Sequence, residues 1–286
     1  MECGRVRWGW NKYKAYNYVN VIRCYKCWGF DHIANKCVKE QTCRLCAGNH
    51  HETSCECNLK KCVNCIEFVN TNGIENVDIN HVATDKKCDY DIEILVNELQ
   101  PDILCLNETH VADDVMDHEK ALMNYYIVRT NTNNNRTGGT ITYVLKHIKY
   151  SVIANSTNAV NGTWLNCIQI SNKNGKTNIC NIYRSPSGNI SEFCKSIIEL
   201  AEDLLVIGKT IILGDFNIDV LSNKFYAKKL LNKMKILGFE QKIKSPTRIT
   251  YNSKTAINLV FTSFQLTTNI HDIPKIADHD IISVKI

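Results

Sequence analysis

No stretch of this 286-residue chain holds the roughly 18 to 20 consecutive apolar residues that a bilayer-spanning helix needs, and its first residues, MECGRVRWGW, lack the apolar core of a secretory signal. Both absences predict a nuclear or cytoplasmic protein, not a secreted one, with no membrane partner. A large excess of one charge is also lacking: the net charge is a mild +5. That charge is unevenly placed, with eleven Lys/Arg against five Asp/Glu in residues 1–62, so attraction to phosphate is concentrated at the front. In a reducing compartment disulfides are disfavoured, so fifteen cysteines need another explanation, and metal binding leads. With 44% apolar residues, the length suits one sizeable α/β core and a small accessory module.

Eleven of the fifteen cysteines lie in the first 88 residues. Cys24-x2-Cys27-x4-His32-x4-Cys37 has the spacing of a retroviral-type zinc knuckle. The Cys-x2-Cys turn sets two thiolates on one side of an ion, and short loops to His and the last Cys close a tetrahedron. So short a segment cannot bury a core, and metal binding supplies its folding free energy. A second copy follows as Cys43-x2-Cys46-x3-His50-x4-Cys55, with His51 as an alternative ligand. A third candidate pairs Cys62 and Cys65 with His81 and Cys88, across a 15-residue middle loop that is long for a knuckle. Cys3 and Cys57 fit no site. Arg23, Lys26, Trp28, Phe30, Lys36 and Arg44 surround the ligands, and Trp8, Trp10, Tyr13, Tyr16 and Tyr18 lie in a lead segment over residues 1–23. Such rings stack on unpaired bases while Lys and Arg hold phosphates, which predicts single-stranded RNA or DNA as the partner. The upstream aromatics are equally readable as an exposed remnant of a lost domain.

Beyond Cys88 the texture alternates between helix and strand. Residues 91–99 read as a helix stopped by Pro101, and 102–107 as a buried strand. Further strands are predicted at 140–146, 164–170, 177–183, 210–214, 257–262 and 281–286, with helices at 190–206 and 223–237, a layered α/β pattern. Polar groups gather where strands end: Asn107-Glu108-Thr109-His110, Tyr183-Arg184-Ser185-Pro186, Gly214-Asp215-Phe216-Asn217 and Asp278-His279-Asp280. Carboxylates, amides and a histidine so placed suit a hard divalent cation held against a phosphodiester.

Taken in order, PDILCLNETH, Gly138-Gly139, NIYRSP, GDFN, INLVFTS and ADHD resemble the endonuclease/exonuclease/phosphatase family. More specifically, residues 91–286 resemble the apurinic-type endonuclease of jockey-like non-LTR retrotransposons. The knuckles over 24–65, extending to 88 with the third candidate, resemble the gag-like protein of the same elements. The resemblance implies a four-layer α/β sandwich behind small zinc knuckles. It implies Glu108 as Mg²⁺ ligand, Asp215 activating water, Asn217 and Tyr183 on the scissile phosphate, and His279 pressing on it or assisting proton transfer beside Asp278. Zn²⁺ at the knuckles, Mg²⁺ at the second site and DNA as its substrate are the cofactors and partner so implied.

Three departures point to impaired catalysis. The family opens with a strand carrying an active-site Asn, whereas here the chain passes from Cys88-Asp89-Tyr90 straight into the helix. The family's Ile-Asp-Leu, whose carboxylate orients the histidine, reads Ile257-Asn258-Leu259; an amide brings no charge to stabilise an imidazolium, a loss of about 10⁴ in rate in the serine-protease precedent. The chain stops at Ile286, in or just after the last strand. The expectation is a gag-like tail joined to a clipped endonuclease frame, or a chain stitched from fragments of such elements.

Overall fold

The computed structural model describes residues 5–8, 11–14, 24–29, 34–72, 78–85, 99–132, 137–158, 160–173, 175–249, 253–271 and 279–286, with 92 and 96. Two compact units divide after Gln100. The first holds a hairpin of β1 (Arg5–Trp8) and β2 (Asn11–Lys14), and helix α1 (Val63–Asn72). Between them the described backbone is mostly turns around cysteines, with short 3-10 helices at Ala34–Lys36 and Glu52–Ser54.

The second unit begins with β3 (Ile103–Asn107), β4 (Tyr125–Thr130), β5 (Thr140–Leu145), β6 (Tyr150–Asn158), β7 (Thr163–Asn172) and β8 (Gly175–Arg184). Helix α2 (Ile190–Ile207), β9 (Lys209–Asp215) and helix α3 (Phe225–Ile236) follow. The chain then forms β10 (Glu240–Gln241), β11 (Arg248–Ile249), β12 (Lys254–Thr255), β13 (Asn258–Thr262), β14 (Thr267–His271) and β15 (Ile281–Lys285).

Six strands make one mixed sheet in the order β10-β13-β9-β8-β7-β6. One face is packed by α2 and α3. Helix α2 starts where the Asn189 side chain accepts from the N–H groups of Ser191 and Glu192, and buries Phe193, Cys194, Ile197, Ala201 and Leu204. These meet Cys180, Ile182, Ile212, Phe216, Leu230, Met234 and Phe261 in the main core. Burial of such groups stabilises by about 25 cal/mol per Å² of apolar area removed from water.

The opposite face is covered by β3-β5-β4 and, separately, by β14-β15. Leu213 of β9 packs against both clusters, one with Ile103, Val128 and Val144, the other with Ile270, Ile282 and Val284. The two small sheets therefore lie over neighbouring parts of one surface, but no strand among the described residues joins them. Every residue of β3 is half-buried although its sequence is ILCLN, and so are Ile281 to Val284 of β15; β5 between its neighbours is buried from Thr140 to Val144.

Cys167 and Cys180 form a disulfide, so the expectation that no cysteines pair is corrected at this point. The register of β7 against β8 places the two opposite each other, with Cα atoms 4.1 Å apart. No helix among the described residues is long and apolar enough to cross a membrane.

Candidate metal centres and strand-end site

In the first unit both knuckle segments fold the same way. Cys24 N–H donates to Gly29 O and Trp28 N–H to Cys24 O; one repeat later Cys43 N–H donates to Gly48 O and Ala47 N–H to Cys43 O. Trp28 and Ala47 both sit at φ 60° to close the turn. Lys26 and Leu45 N–H groups lie 3.4 Å from the Cys24 and Cys43 sulfurs. Gly48 is required for room: a Cβ there would lie 2.9 Å from the His50 ring. Burial pushes the Cys24 thiol up, but N–H groups of Cys27 and Lys26 and neighbouring thiols outweigh it and draw the group down to about 7.

The donor atoms of Cys43, Cys46, His50 and Cys55 all lie within 4.8 Å of one another. Cys46 Sγ is 3.5 Å from His50 Nε2 and 3.6 Å from Cys55 Sγ. Ligands at the corners of a tetrahedron with bonds of about 2.3 Å stand about 3.7 Å apart, so this donor set fits Zn²⁺. The alternative ligand His51 instead caps a short 3-10 turn: its Nδ1 accepts from Thr53 N–H at 3.3 Å. Cys24, Cys27 and Cys37 form a second group, and Cys62, Cys65 and His81 a third, with Cys65 Sγ 3.4 Å from His81 Nε2. His32 and Cys88, expected to complete them, lie outside the described residues, as does Asp278 of the second unit.

The three groups are joined. Backbone N–H groups of Thr42, Lys61, Cys62 and Ala83 donate to the carbonyls of Lys26, Leu45, Ile79 and Arg44. Trp28 is only 8% exposed, packing with Cys62, Cys65 and Ala83 while its Nε1 donates to Thr42 O. The ring expected to stack on bases is thus core, and the neighbouring Tyr25, 71% exposed, is the aromatic turned to solvent.

In the second unit register aligns the strand-end residues. Tyr183 of β8 is opposite Asp215 of β9, and Asp215 is opposite Asn258 of β13. Side chains at paired positions share a face, so the three form a row. Tyr183 Oη donates to Glu108 Oε1 at 3.1 Å, and His110 Nε2 is 3.8 Å from the same oxygen. Asn258 Oδ1 accepts from His279 Nδ1 at 2.9 Å. His279 is held by its bridge to Arg248 and by Asp280 N–H donating to Thr247 O.

The Gly214-Asp215-Phe216-Asn217 turn is fixed from both ends. Asn217 N–H donates to Asp215 Oδ1 and its Nδ2 to Arg184 O. Arg184, 3% exposed, donates to the carbonyls of Phe216, Asn217, Ser185 and Gly188. This clamp was not legible in NIYRSP, and neither was the buried amide of Asn181, which ties β8 to Leu106 O, Ile141 O and the Asn107 side chain. Gly214 has φ 135°, and a Cβ would meet Ile182 O at 1.9 Å. Gly214→Ala is expected to cost about 3 kcal/mol through backbone strain, lowering Tm by roughly 6–12 °C in a thermal melt.

Burial raises the Asp215 carboxyl to about 7; Asn217 N–H opposes this, the Glu108 charge adds to it, and Arg248 and Arg184 oppose it again. The Glu108 and Asp215 carboxylates are donors of the kind a hard divalent cation takes, and a cation there would offset the repulsion between them. Without added Mg²⁺, a carboxyl whose folded pKa is raised destabilises the fold once ionised. The cost is absent below its unfolded value near 4 and grows up to about 7. Asp215→Asn is therefore expected to melt higher than the parent at pH 8 and with it at pH 4.

No family model matches the sequence. The nucleic-acid-binding protein from mobile element jockey of Drosophila funebris is 36% identical over 77 residues, 26% of this chain. The match spans only 11% of that relative's length. Among solved structures, the endonuclease domain of TRAS1, a telomere-specific non-LTR retrotransposon, superposes with a TM-score of 0.53 at 12% identity, covering 71% of this chain and 94% of that one. The 3'-5' exonuclease NExo of Neisseria meningitidis gives 0.53 at 13% identity over 68% and 93%. The Xenopus laevis APE2 catalytic domain gives 0.52 at 15% identity over 68% and 87%. The chain thus carries cysteine clusters in front of an α/β unit that shares the fold of these nuclease structures, and a 77-residue stretch of it is similar to the jockey protein.

Proposed function

We propose that this chain binds nucleic acid through zinc-organised knuckles and carries an endonuclease-type domain whose catalysis is impaired. The observation that carries the reading is the four-donor cluster of Cys43, Cys46, His50 and Cys55. The jockey relative, a nucleic-acid-binding protein by name, points the same way. Zinc would hold the turns in place, leaving Tyr25 exposed for base stacking and Lys and Arg for phosphates. His32 would complete the first site and Cys88 the third. Native mass spectrometry is expected to find one zinc per cluster, and single-strand binding should fall with salt and vanish with chelation. A metal-free native chain with those sulfurs oxidised in pairs overturns the reading.

A second reading, an active Mg²⁺-dependent endonuclease that nicks DNA, is favoured by the convergence of Glu108, Tyr183, Asp215, Asn258 and His279. A bound cation would supply charge stabilisation on phosphoryl oxygens. Glu108 would hold it, Asp215 would activate the attacking water, Tyr183 and Asn217 would contact the phosphate, and His279 would press on that phosphate or assist proton transfer. Impairment is ranked first because an amide stands behind His279 where the family resemblance implies a carboxylate, and because among the described residues no strand joins the sheet that leads to Glu108 with β14-β15. A plasmid-nicking assay with Mg²⁺, lost in Asp215→Ala, would reverse that ranking.

A further inference from the structure

The outer faces of α2 and α3 carry opposite charges that are not used on each other. On α2 the stripe Glu192, Lys195, Glu199, Glu202, Asp203 and Val206 is exposed, at helical spacing opposite the buried residues. On α3 no residue is acidic, and Phe225, Lys228, Lys229, Asn232, Lys233 and Ile236 form one exposed stripe at helical spacing. No ion pair joins the two helices among the described residues. Large apolar groups stand out in solvent at their ends: Val206 is 86% exposed, Ile236 77% and Phe225 70%.

We infer that this helical layer is a self-association surface that takes a second copy of the chain. A two-fold interface needs a patch complementary to itself, and an acidic helix beside a basic one meets that condition. Rotated face to face, α2 of one copy lies on α3 of the other and the reverse contact forms at the same time. The helices, about 27 and 18 Å long at 1.5 Å per residue, are long enough for Glu199, Glu202 and Asp203 to meet Lys228, Lys229 and Lys233. Val206 then meets an apolar end of the partner helix. A nucleic-acid strand is the poorer occupant, since the carboxylates of α2 border the lysines and repel phosphate.

Sedimentation velocity of the full chain tests this through a charge swap. The parent is expected to dimerise at low ionic strength and to dissociate as salt rises. Lys228→Glu/Lys229→Glu/Lys233→Glu and Glu199→Lys/Glu202→Lys/Asp203→Lys should each weaken self-association by more than about tenfold, since each sets like charges together. Mixed in equal amounts, the two variants restore both contacts and should dimerise within about threefold of the parent. If a reversed chain fails to fold, Lys228→Gln/Lys229→Gln/Lys233→Gln should still weaken the dimer and flatten its salt dependence. A parent that stays monomeric, or a mixture that does not recover, overturns the proposal. Zinc-stripped parent that binds single-stranded DNA while the Lys→Glu chain does not also overturns it, assigning the lysines to nucleic acid.

Discussion

Cys46→Ser is expected to weaken single-strand binding by more than about 100-fold and to remove more than one zinc per chain. Cys46 lies within 3.6 Å of both His50 and Cys55, so a serine there withdraws a thiolate from the centre of the cluster. Structural zinc supplies about 10–16 kcal/mol in small modules, and little else can replace it here. The described apolar interior of this unit is Trp28, Cys62, Cys65 and Ala83 with Val63 and Ile79 against it. The loss should spread because Arg44 and Leu45, flanking Cys46, accept backbone hydrogen bonds from Ala83 and Lys61 beside the third group. Metal content by mass spectrometry and affinity by fluorescence anisotropy read the two effects; a variant that loses zinc yet binds as before would move binding away from the knuckles.

Asn258→Asp is expected to raise Mg²⁺-dependent plasmid nicking by about 10²- to 10⁴-fold, the converse of the loss when a histidine's carboxylate partner becomes an amide. The geometry is already in place, since Oδ1 of residue 258 accepts from His279 Nδ1 at 2.9 Å and the substitution adds charge without volume. Glu108→Ala in the same background should return nicking to baseline. A variant as silent as the parent would shift the lesion to the broken layer around β3 and β15.

Apolar strands and both long helices were legible because burial on two faces, or on one stripe, leaves a strong hydrophobic pattern. The readings at 102–107, 177–183, 210–214 and 190–206 each fall within about two residues of β3, β8, β9 and α2. The longer strands of the second unit that escaped were β4, β6 and β14, and the short β1, β2, β10, β11 and β12 escaped as well. Tyr150–Asn158 is an edge strand, half-buried at best along its length, so its Ser, Asn and Thr residues read as loop. Thr267–His271 is polar for the same reason. The knuckle spacings carried the metal clusters because a short loop fixes where its ends can be. Trp28 was misread since an aromatic beside cationic residues looks alike whether it faces bases or a neighbouring module. The Arg184 clamp was not legible because two of its four carbonyl partners, Phe216 and Asn217, lie on a turn about thirty residues away.

The cross-links among the cysteine clusters bear on how such a unit would meet a polymer. Separate modules on slack tethers can grip a strand at changing intervals, and each lets go independently. Here Thr42, Lys61 and Ala83 anchor one segment to the next, so the contact points keep a constant spacing. If the unit binds nucleic acid as proposed, it would touch a fixed length of the strand and engage or release it as one body.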